Sequence, residues 1–117
     1  SQVNKMKPES FKELDVFRRT LLEIVRKNDG ASDLTVRQTA VLLCVYLTPP
    51  PHTVRALAAE LNISKPAVSR AIDKLSVLGL LKRQTDENDR RSVNLSRTLS
   101  GAEYVSELAD IIAKQKK

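Results

Sequence analysis

The hydrophobic period of this chain changes at Gly79, and that change constrains the fold more than any other feature. Before Gly79, apolar residues recur every three or four positions, as they do along one face of a helix. From Leu81 to Thr85 and from Arg91 to Leu95, the side chains alternate in character instead, and a polar stretch at 86–89 separates the two runs. This pattern predicts a two-stranded hairpin with a charged tip.

Five helices are predicted around this hairpin from their start and stop signals. Ser10 with Glu13 three residues later predicts a capping box, and Thr35 with Gln38 predicts a second one. The prolines at 49–51 end the second helix because proline lacks an amide donor. The predicted helices are 10–29, 35–47, 53–61, 64–78 and 99–114.

The order of these elements predicts the fold class. Two helices, a short helix, a tight turn, a longer helix, a hairpin and a last helix make a mainly α chain with a small β-hairpin wing. The length of 117 residues fits a single domain. We therefore expect one domain over 1–117, with a winged helix-turn-helix core at 35–96 and an amphipathic helix on each side of it.

The helix predicted at 64–78 has two different faces. One face is apolar and is expected to pack inward; it carries Val68, Ile72, Leu75 and Leu78. The opposite face carries Lys65, Ser69, Arg70, Asp73 and Lys74. Such a face is most often only solvated, but the small and apolar residues at 56–61 and the turn at 61–64 favour a helix-turn-helix. A polar, basic face in that setting fits the major groove of DNA.

At this point the chain resembles a known family. The residues that carry the resemblance are Val54–Ala58, Leu61, Ser64–Ser69, Ile72–Leu75, Leu78–Leu81, Arg83, Asp89–Arg91, Val93 and Leu95. Together they resemble the MarR family of winged helix-turn-helix transcriptional regulators over about 35–95. The family pattern also has a leucine-threonine pair, two residues and a glycine after the wing, whereas here Leu95-Ser96 precedes Gly101 by a longer gap.

The resemblance implies sequence-specific binding to double-stranded DNA by a regulator, expected to be a repressor that acts on a pseudo-palindromic operator. It implies that Arg91 enters the minor groove and that Asp89 orients it, while Arg90 and Arg83 either meet phosphate or brace the wing. The expected DNA-binding residues are Ser64, Lys65, Pro66, Ser69, Arg70, Lys74, Arg83, Asp89, Arg90 and Arg91.

The two end helices, 10–29 and 99–114, are expected to form a homodimer. A short chain with a thin centre has few ways to cover both apolar stripes alone, and in the family resembled these helices interlock between two subunits. The expected interface residues are Phe11, Leu14, Phe17, Leu21, Ile24, Tyr104, Leu108 and Ile111. The resemblance also allows a small aromatic effector, held near the boundary between the dimer and the DNA-binding parts.

Charge and composition limit which partners, cofactors and activities are expected for the chain. The formal net charge of +6 suits a polyanionic partner. The one cysteine, Cys44, lies in an apolar run and is expected to be a buried, inert thiol, while His52 has no second ligand near it for a metal. We see no nucleophile with its base, so we expect no enzyme, no cofactor and no metal. No signal peptide or membrane segment is visible, which favours the cytoplasm.

One alternative stays open at the level of sequence. A winged-helix module can bind another protein instead of DNA, because a fold does not fix a function. The basic residues on both the fourth helix and the wing tip favour DNA over this reading.

Overall fold

The computed structural model describes residues 8–85, 88 and 93–117. Within these ranges the chain forms five helices and one antiparallel two-stranded sheet. The elements are α1 (Pro8–Asn28), α2 (Val36–Leu47), α3 (Val54–Leu61), α4 (Lys65–Val77), β1 (Leu81–Thr85), β2 (Val93–Arg97) and α5 (Leu99–Gln115). This architecture confirms the predicted class, a mainly α chain with a β-hairpin wing.

The start of α1 differs from the prediction. The helix begins at Pro8, so Ser10 lies within its first turn and the predicted capping box with Glu13 is wrong. Proline is well suited to a first helical turn because the amide that it lacks would have no partner there. The start of α2 follows the prediction. The Gln38 amide donates to Thr35 Oγ1 at 3.1 Å, and the Thr35 amide donates to Gln38 Oε1 at 2.9 Å.

The turn between α3 and α4 is built by local capping. Asn62 ends α3 in the left-handed conformation, at φ 55°, and the Ile63 amide donates back to the Ala58 carbonyl at 3.1 Å. Ser64 then caps α4, since its Oγ accepts from the Ala67 amide at 3.2 Å. The chain therefore turns within three residues, which brings α3 and α4 together as a helix-turn-helix.

The chain divides into two compact units. One contains the residues up to Asp33 together with 106–117, and the other is Leu34–Val105. The second unit contains the whole winged helix-turn-helix core and a continuous hydrophobic cluster. Its six largest fully buried side chains come from α2 and α4: Val41, Leu42, Val45, Val68, Ile72 and Leu75.

Two apolar residues do not pack as predicted. Leu78 was expected on the inward face of α4, but it caps the end of the helix and is 46% exposed. The chain turns at Gly79, which has φ +75°, and the Leu80 amide donates to the Leu75 carbonyl at 2.9 Å. Leu80 therefore takes the buried position that the helical pattern assigned to Leu78. Val36, which the helical period of the residues at 36, 40, 43, 44 and 47 predicts on the apolar side of α2, is at the first turn and is exposed.

The two strands of the wing pair in an unbroken register, and the second strand is held at its middle and at its end. β1 and β2 pair in the register Leu81–Arg97 to Thr85–Val93. The Leu95 amide, at the middle of β2, donates to the His52 carbonyl at 2.8 Å, which anchors the strand to the segment before α3. At the end of β2, Arg97 Nε donates to the Val45 carbonyl at 2.9 Å, in the last turn of α2.

A hydrogen-bonded junction joins the wing to the start of α5. The Tyr46 hydroxyl donates to the Leu80 carbonyl at 2.6 Å and accepts from the Thr98 amide at 3.0 Å. Thr98 Oγ1 donates to the Gly79 carbonyl at 2.7 Å and accepts from the Gly101 amide at 2.9 Å. A Cβ on Gly101 would lie 1.7 Å from the Tyr46 hydroxyl and 2.1 Å from the Leu80 carbonyl oxygen, so only glycine fits.

This junction corrects the spacing read from the sequence after the wing. The threonine of the family pattern is Thr98, which is followed by two residues and Gly101. Leu95-Ser96 belongs to β2 and is not the leucine-threonine pair.

Candidate nucleic-acid interface

The two faces of α4 are separated as the sequence predicts. Its buried residues are Ala67, Val68, Ala71, Ile72 and Leu75. Lys65, Pro66, Arg70 and Lys74 are exposed, and Ser69 is half-buried. The helix thus presents basic and hydroxyl side chains to solvent while its other face is fixed in the core. From Lys65 to Lys74 the exposed face spans roughly 13 Å at the helical rise of about 1.5 Å per residue.

The first turn of α4 adds further donors to this face. Ser64 is exposed, and its Oγ accepts from the Ala67 amide, so the hydroxyl hydrogen is left to donate. The aligned backbone dipoles place partial positive charge at this end of the helix, and Lys65 adds a full charge there. An anion such as a DNA phosphate would meet favourable electrostatics at this turn.

Arg83 connects the wing to α4. Its Nη2 forms an ion pair with Asp73 Oδ1 at 2.6 Å and donates to the Ser69 carbonyl at 3.2 Å. Both acceptors are on α4, and Arg83 is in the middle of β1. Of the two roles expected for Arg83, these contacts are those of a brace; a contact with phosphate stays a prediction. The sequence placed Asp73 on the same face but gave no sign of this pairing, since the two residues are on different elements.

The expected tip of the wing lies outside the described residues. Asp89, Arg90 and Arg91 fall in the interval between β1 and β2. Their roles in the minor groove therefore stay predictions. The two strands that lead to the tip are described, and they fix where it is attached.

The expected dimer residues fall into two groups. Phe11, Leu14, Phe17 and Leu21 are exposed along one face of α1, and Ile24 on the same helix is half-buried. Val25, which was left out of the expected interface, is also exposed on α1. A shallow apolar groove follows this face and is lined by Leu14, Phe17, Arg18, Leu21, Leu22 and Val25.

The remaining three expected residues are on α5 and are covered within one chain. Leu108 and Ile111 are buried, and Tyr104 is half-buried against the winged-helix core. On α5, Ile112 is the apolar residue that is exposed next to them. A stripe in a sequence cannot separate a residue that packs within its own chain from one that needs a partner, because both follow the same period.

Cys44 is half-buried, so the prediction of a fully buried thiol is wrong. Burial raises the pKa of the Cys44 thiol, and the Glu60 carboxylate raises it further. His52 is buried, and its Nε2 is 3.1 Å from the Thr48 carbonyl oxygen. Among the residues that the structure describes, no three His, Cys, Asp or Glu side chains lie close enough to share a metal ion. None of the described helices combines the length and the apolar character that crossing a membrane requires.

Comparison with solved structures supports the same fold. S. aureus MepR in its complex with DNA has a TM-score of 0.71 and 23% identity, over 100% of this chain and 87% of that one. The transcriptional repressor CouR, bound to a 23-mer DNA duplex, has a TM-score of 0.71 and 25% identity, over 98% and 78%. A MarR transcriptional regulator from Methanosarcina mazei Go1 has a TM-score of 0.65 and 26% identity, over 94% and 78%.

A match to a family model is more specific than these likenesses of fold. The model of the MarR family matches residues 32–92, which is more than half of the chain. The matched range contains α2, α3, α4 and β1, and so includes the helix-turn-helix and the Arg83 brace. The chain therefore belongs to the MarR family of winged helix-turn-helix regulators.

Proposed function

We propose that this protein is a transcriptional repressor that binds double-stranded DNA as a homodimer on a pseudo-palindromic operator. The observation that carries the proposal is the exposed face of α4, where Lys65, Arg70 and Lys74 stand on a helix whose other face is locked in the core. The net charge of +6 agrees with a polyanionic partner. Two similar structures, MepR and CouR, hold DNA.

In this proposal α4 is the recognition helix and lies in the major groove. Arg70 and Ser69 read base edges, since an arginine can donate two bonds to one guanine and a hydroxyl can donate or accept. Lys65, Lys74 and Ser64 contact phosphates and set the position of the helix on the duplex. Arg91 enters the minor groove next to α4, with Asp89 holding its guanidinium in one direction.

The apolar face of α1 is the proposed centre of the dimer. Phe11, Leu14, Phe17 and Leu21 leave a continuous apolar strip uncovered in one chain. Patches of this kind are typical of protein interfaces, and most soluble oligomers are dimers with a two-fold axis. Two-fold symmetry would place two copies of α4 about one helical turn of DNA apart, roughly 34–36 Å.

Two further parts of the proposal rest on the family. A small aromatic effector would be a ligand whose binding changes the affinity of the dimer for its operator. A regulator must also reach the chromosome, so we place the protein in the cytoplasm of its cell.

A DNA titration tests the proposal. Duplexes selected from fragments of the source genome are titrated with the protein at 50 and 200 mM salt. We expect two chains per duplex and a steep loss of affinity with salt, because phosphate contacts release counterions. Arg70→Ala should cost about 1–3 kcal/mol on the selected duplex, the usual cost of losing a base contact.

Lys114→Ala is the matched control, since it removes one positive charge from α5 and leaves α4 intact. It should change the affinity for the selected duplex less than about twofold, as is usual for a screened charge outside the interface. Binding by one chain, or affinity that is the same at both salt concentrations, would contradict the proposal. If the protein binds no duplex at either salt concentration, the result would instead favour a winged-helix module that binds another protein.

A further inference from the structure

An acidic side chain interrupts the basic face of α4. Asp73 lies on the same helix as Lys65, Arg70 and Lys74, and its side chain is 63% exposed. A carboxylate at this place repels phosphates, so on electrostatic grounds alone it would weaken the binding of DNA. Asp73 also contributes little to the core, because most of its surface stays in water. Neither packing in the core nor attraction to DNA explains why an acid stands here.

The contacts of Asp73 point to the wing. Arg83 Nη2 forms an ion pair with Asp73 Oδ1 at 2.6 Å and donates to the Ser69 carbonyl oxygen at 3.2 Å. In an α-helix the carbonyl of residue 69 points toward residue 73, so the two acceptors lie next to each other. One nitrogen of Arg83, on β1, thus contacts both a side chain and the backbone of α4, which holds that end of the side chain against the helix.

The position of Arg83 in the hairpin makes this contact effective. Arg83 pairs with Leu95 across the sheet, and Leu95 is buried. Residues directly opposite each other in an antiparallel pair project from the same face, so Arg83 leaves the strand on its inner face. β1 ends two residues later at Thr85, where the chain enters the tip of the wing. A restraint at Arg83 therefore acts on the strand that leads into the tip.

We propose that Asp73 is a positioning residue for DNA binding, which acts by holding Arg83 and thereby fixing the wing against the recognition helix. The proposal rests on the function proposed above. With the brace in place, β1 is held against α4 before DNA arrives. Without it, the wing samples more orientations, and ordering it upon binding costs affinity.

The effect of Asp73→Asn on DNA affinity separates a positioning role from a purely electrostatic one, because the two roles predict changes of opposite sign. Asp73→Asn removes a negative charge from the proposed DNA interface, so a purely electrostatic role predicts tighter binding to every duplex. We expect the opposite on the selected duplex, an affinity about 3–10-fold lower, because the brace is lost. On an unrelated duplex of the same length, affinity should be unchanged or slightly higher, since non-specific binding follows charge.

Arg83 provides an independent readout. If Arg83 contacts a phosphate, Arg83→Ala should reduce the slope of log affinity against log salt by about one. If it acts as a brace, the slope should be unchanged, Arg83→Ala should lose the same 3–10-fold as Asp73→Asn, and the double variant should be no more than about twofold worse than either alone. Glu103→Gln, an acid-to-amide change on exposed α5, is the matched control and should bind like the parent.

A thermal melt separates a loss of DNA binding from a loss of folding. An exposed ion pair contributes little to stability, so both variants should unfold at nearly the parent's temperature, and a thermal melt verifies this. Tighter specific binding by Asp73→Asn, additive losses in the double variant, or a lower salt slope for Arg83→Ala would overturn the positioning role and leave the proposed function intact. A parent that fails to bind any duplex would overturn both.

Discussion

The two compact units of this chain differ in how far they cover their apolar side chains. Residues 34–105 enclose a continuous core in which Leu42, Ile72 and Leu75 are fully covered, although apolar residues at helix ends, such as Val36 and Val77, stay exposed. The unit that contains α1 leaves Leu14 and Phe17 more than half exposed. Burial of apolar surface is the main favourable term in folding, so the core of residues 34–105 is expected to supply most of the stability. The unit that contains α1 keeps an apolar face exposed, and this is the face proposed above as the dimer interface.

Truncating one leucine to alanine in each unit should give the largest difference in the free energy of unfolding. Leu75→Ala in α4 should lower the free energy of unfolding by about 2–5 kcal/mol, the range for a fully buried leucine that leaves a cavity. Leu21→Ala in α1 removes the same atoms from a side chain that is 45% exposed, and should cost less than half as much at low protein concentration. Urea denaturation of both variants measures the difference. Equal losses would mean that α1 is as fully packed within one chain as α4.

Replacing one glycine by alanine in each unit should give the next largest difference in stability. Gly101→Ala should destabilise the protein by about 2–3 kcal/mol, because the new Cβ meets the Tyr46 hydroxyl and a backbone oxygen that cannot easily move. Gly30→Ala is the control from the other unit. Its φ of +86° is unfavourable for alanine, but nothing lies within 4 Å, so the expected cost is about 1 kcal/mol. If the urea midpoint falls no further for Gly101→Ala than for Gly30→Ala, the hydrogen-bonded junction around Tyr46 can rearrange to make room for the new methyl group.

These contrasts also show what the sequence could and could not predict. The helices, the capping of α2 by Thr35 and the hairpin were predictable, because they depend on local period and on caps within four residues. The exposure of Leu78 was not, since it depends on where the chain turns after α4. The Asp73–Arg83 pair and the Tyr46 junction join distant parts of the chain, and one sequence carries no signal for such contacts. The roles of the expected site residues in DNA binding and dimerisation remain predictions.

The α1 face should respond to self-association more than to folding. Phe17→Ala should raise the dimer dissociation constant about tenfold, because a two-fold axis removes the aromatic surface from both subunits. Analytical ultracentrifugation over a range of concentrations gives this constant. Val77→Ala, also an exposed apolar residue but at the end of α4, should leave it unchanged. A parent that sediments as a monomer at micromolar concentration would refute the proposed dimer.

Cys44 should show the smallest effect, and it tests whether the winged-helix core excludes reagents. Burial and the Glu60 carboxylate raise the pKa of its thiol, and the thiolate is the reactive form. We therefore expect iodoacetamide to label the native protein at least about tenfold more slowly than the protein unfolded in urea. Because the folded pKa is above the unfolded one, the contribution of the neutral thiol to stability is complete below the unfolded pKa. It is lost as the pH rises through the folded value, and Cys44→Ala should remove this alkaline loss.

The same argument predicts that peroxide leaves DNA binding unchanged, in the parent as in Cys44→Ser. Oxidation begins with a thiolate, and a half-buried thiol with a raised pKa supplies little of it at neutral pH. Binding to the selected duplex before and after peroxide treatment measures the effect, with the serine variant as the control for oxidation elsewhere. Rapid labelling of the native thiol together with release of the parent, but not of Cys44→Ser, from DNA would make Cys44 a redox sensor and contradict the inert position that its surroundings predict.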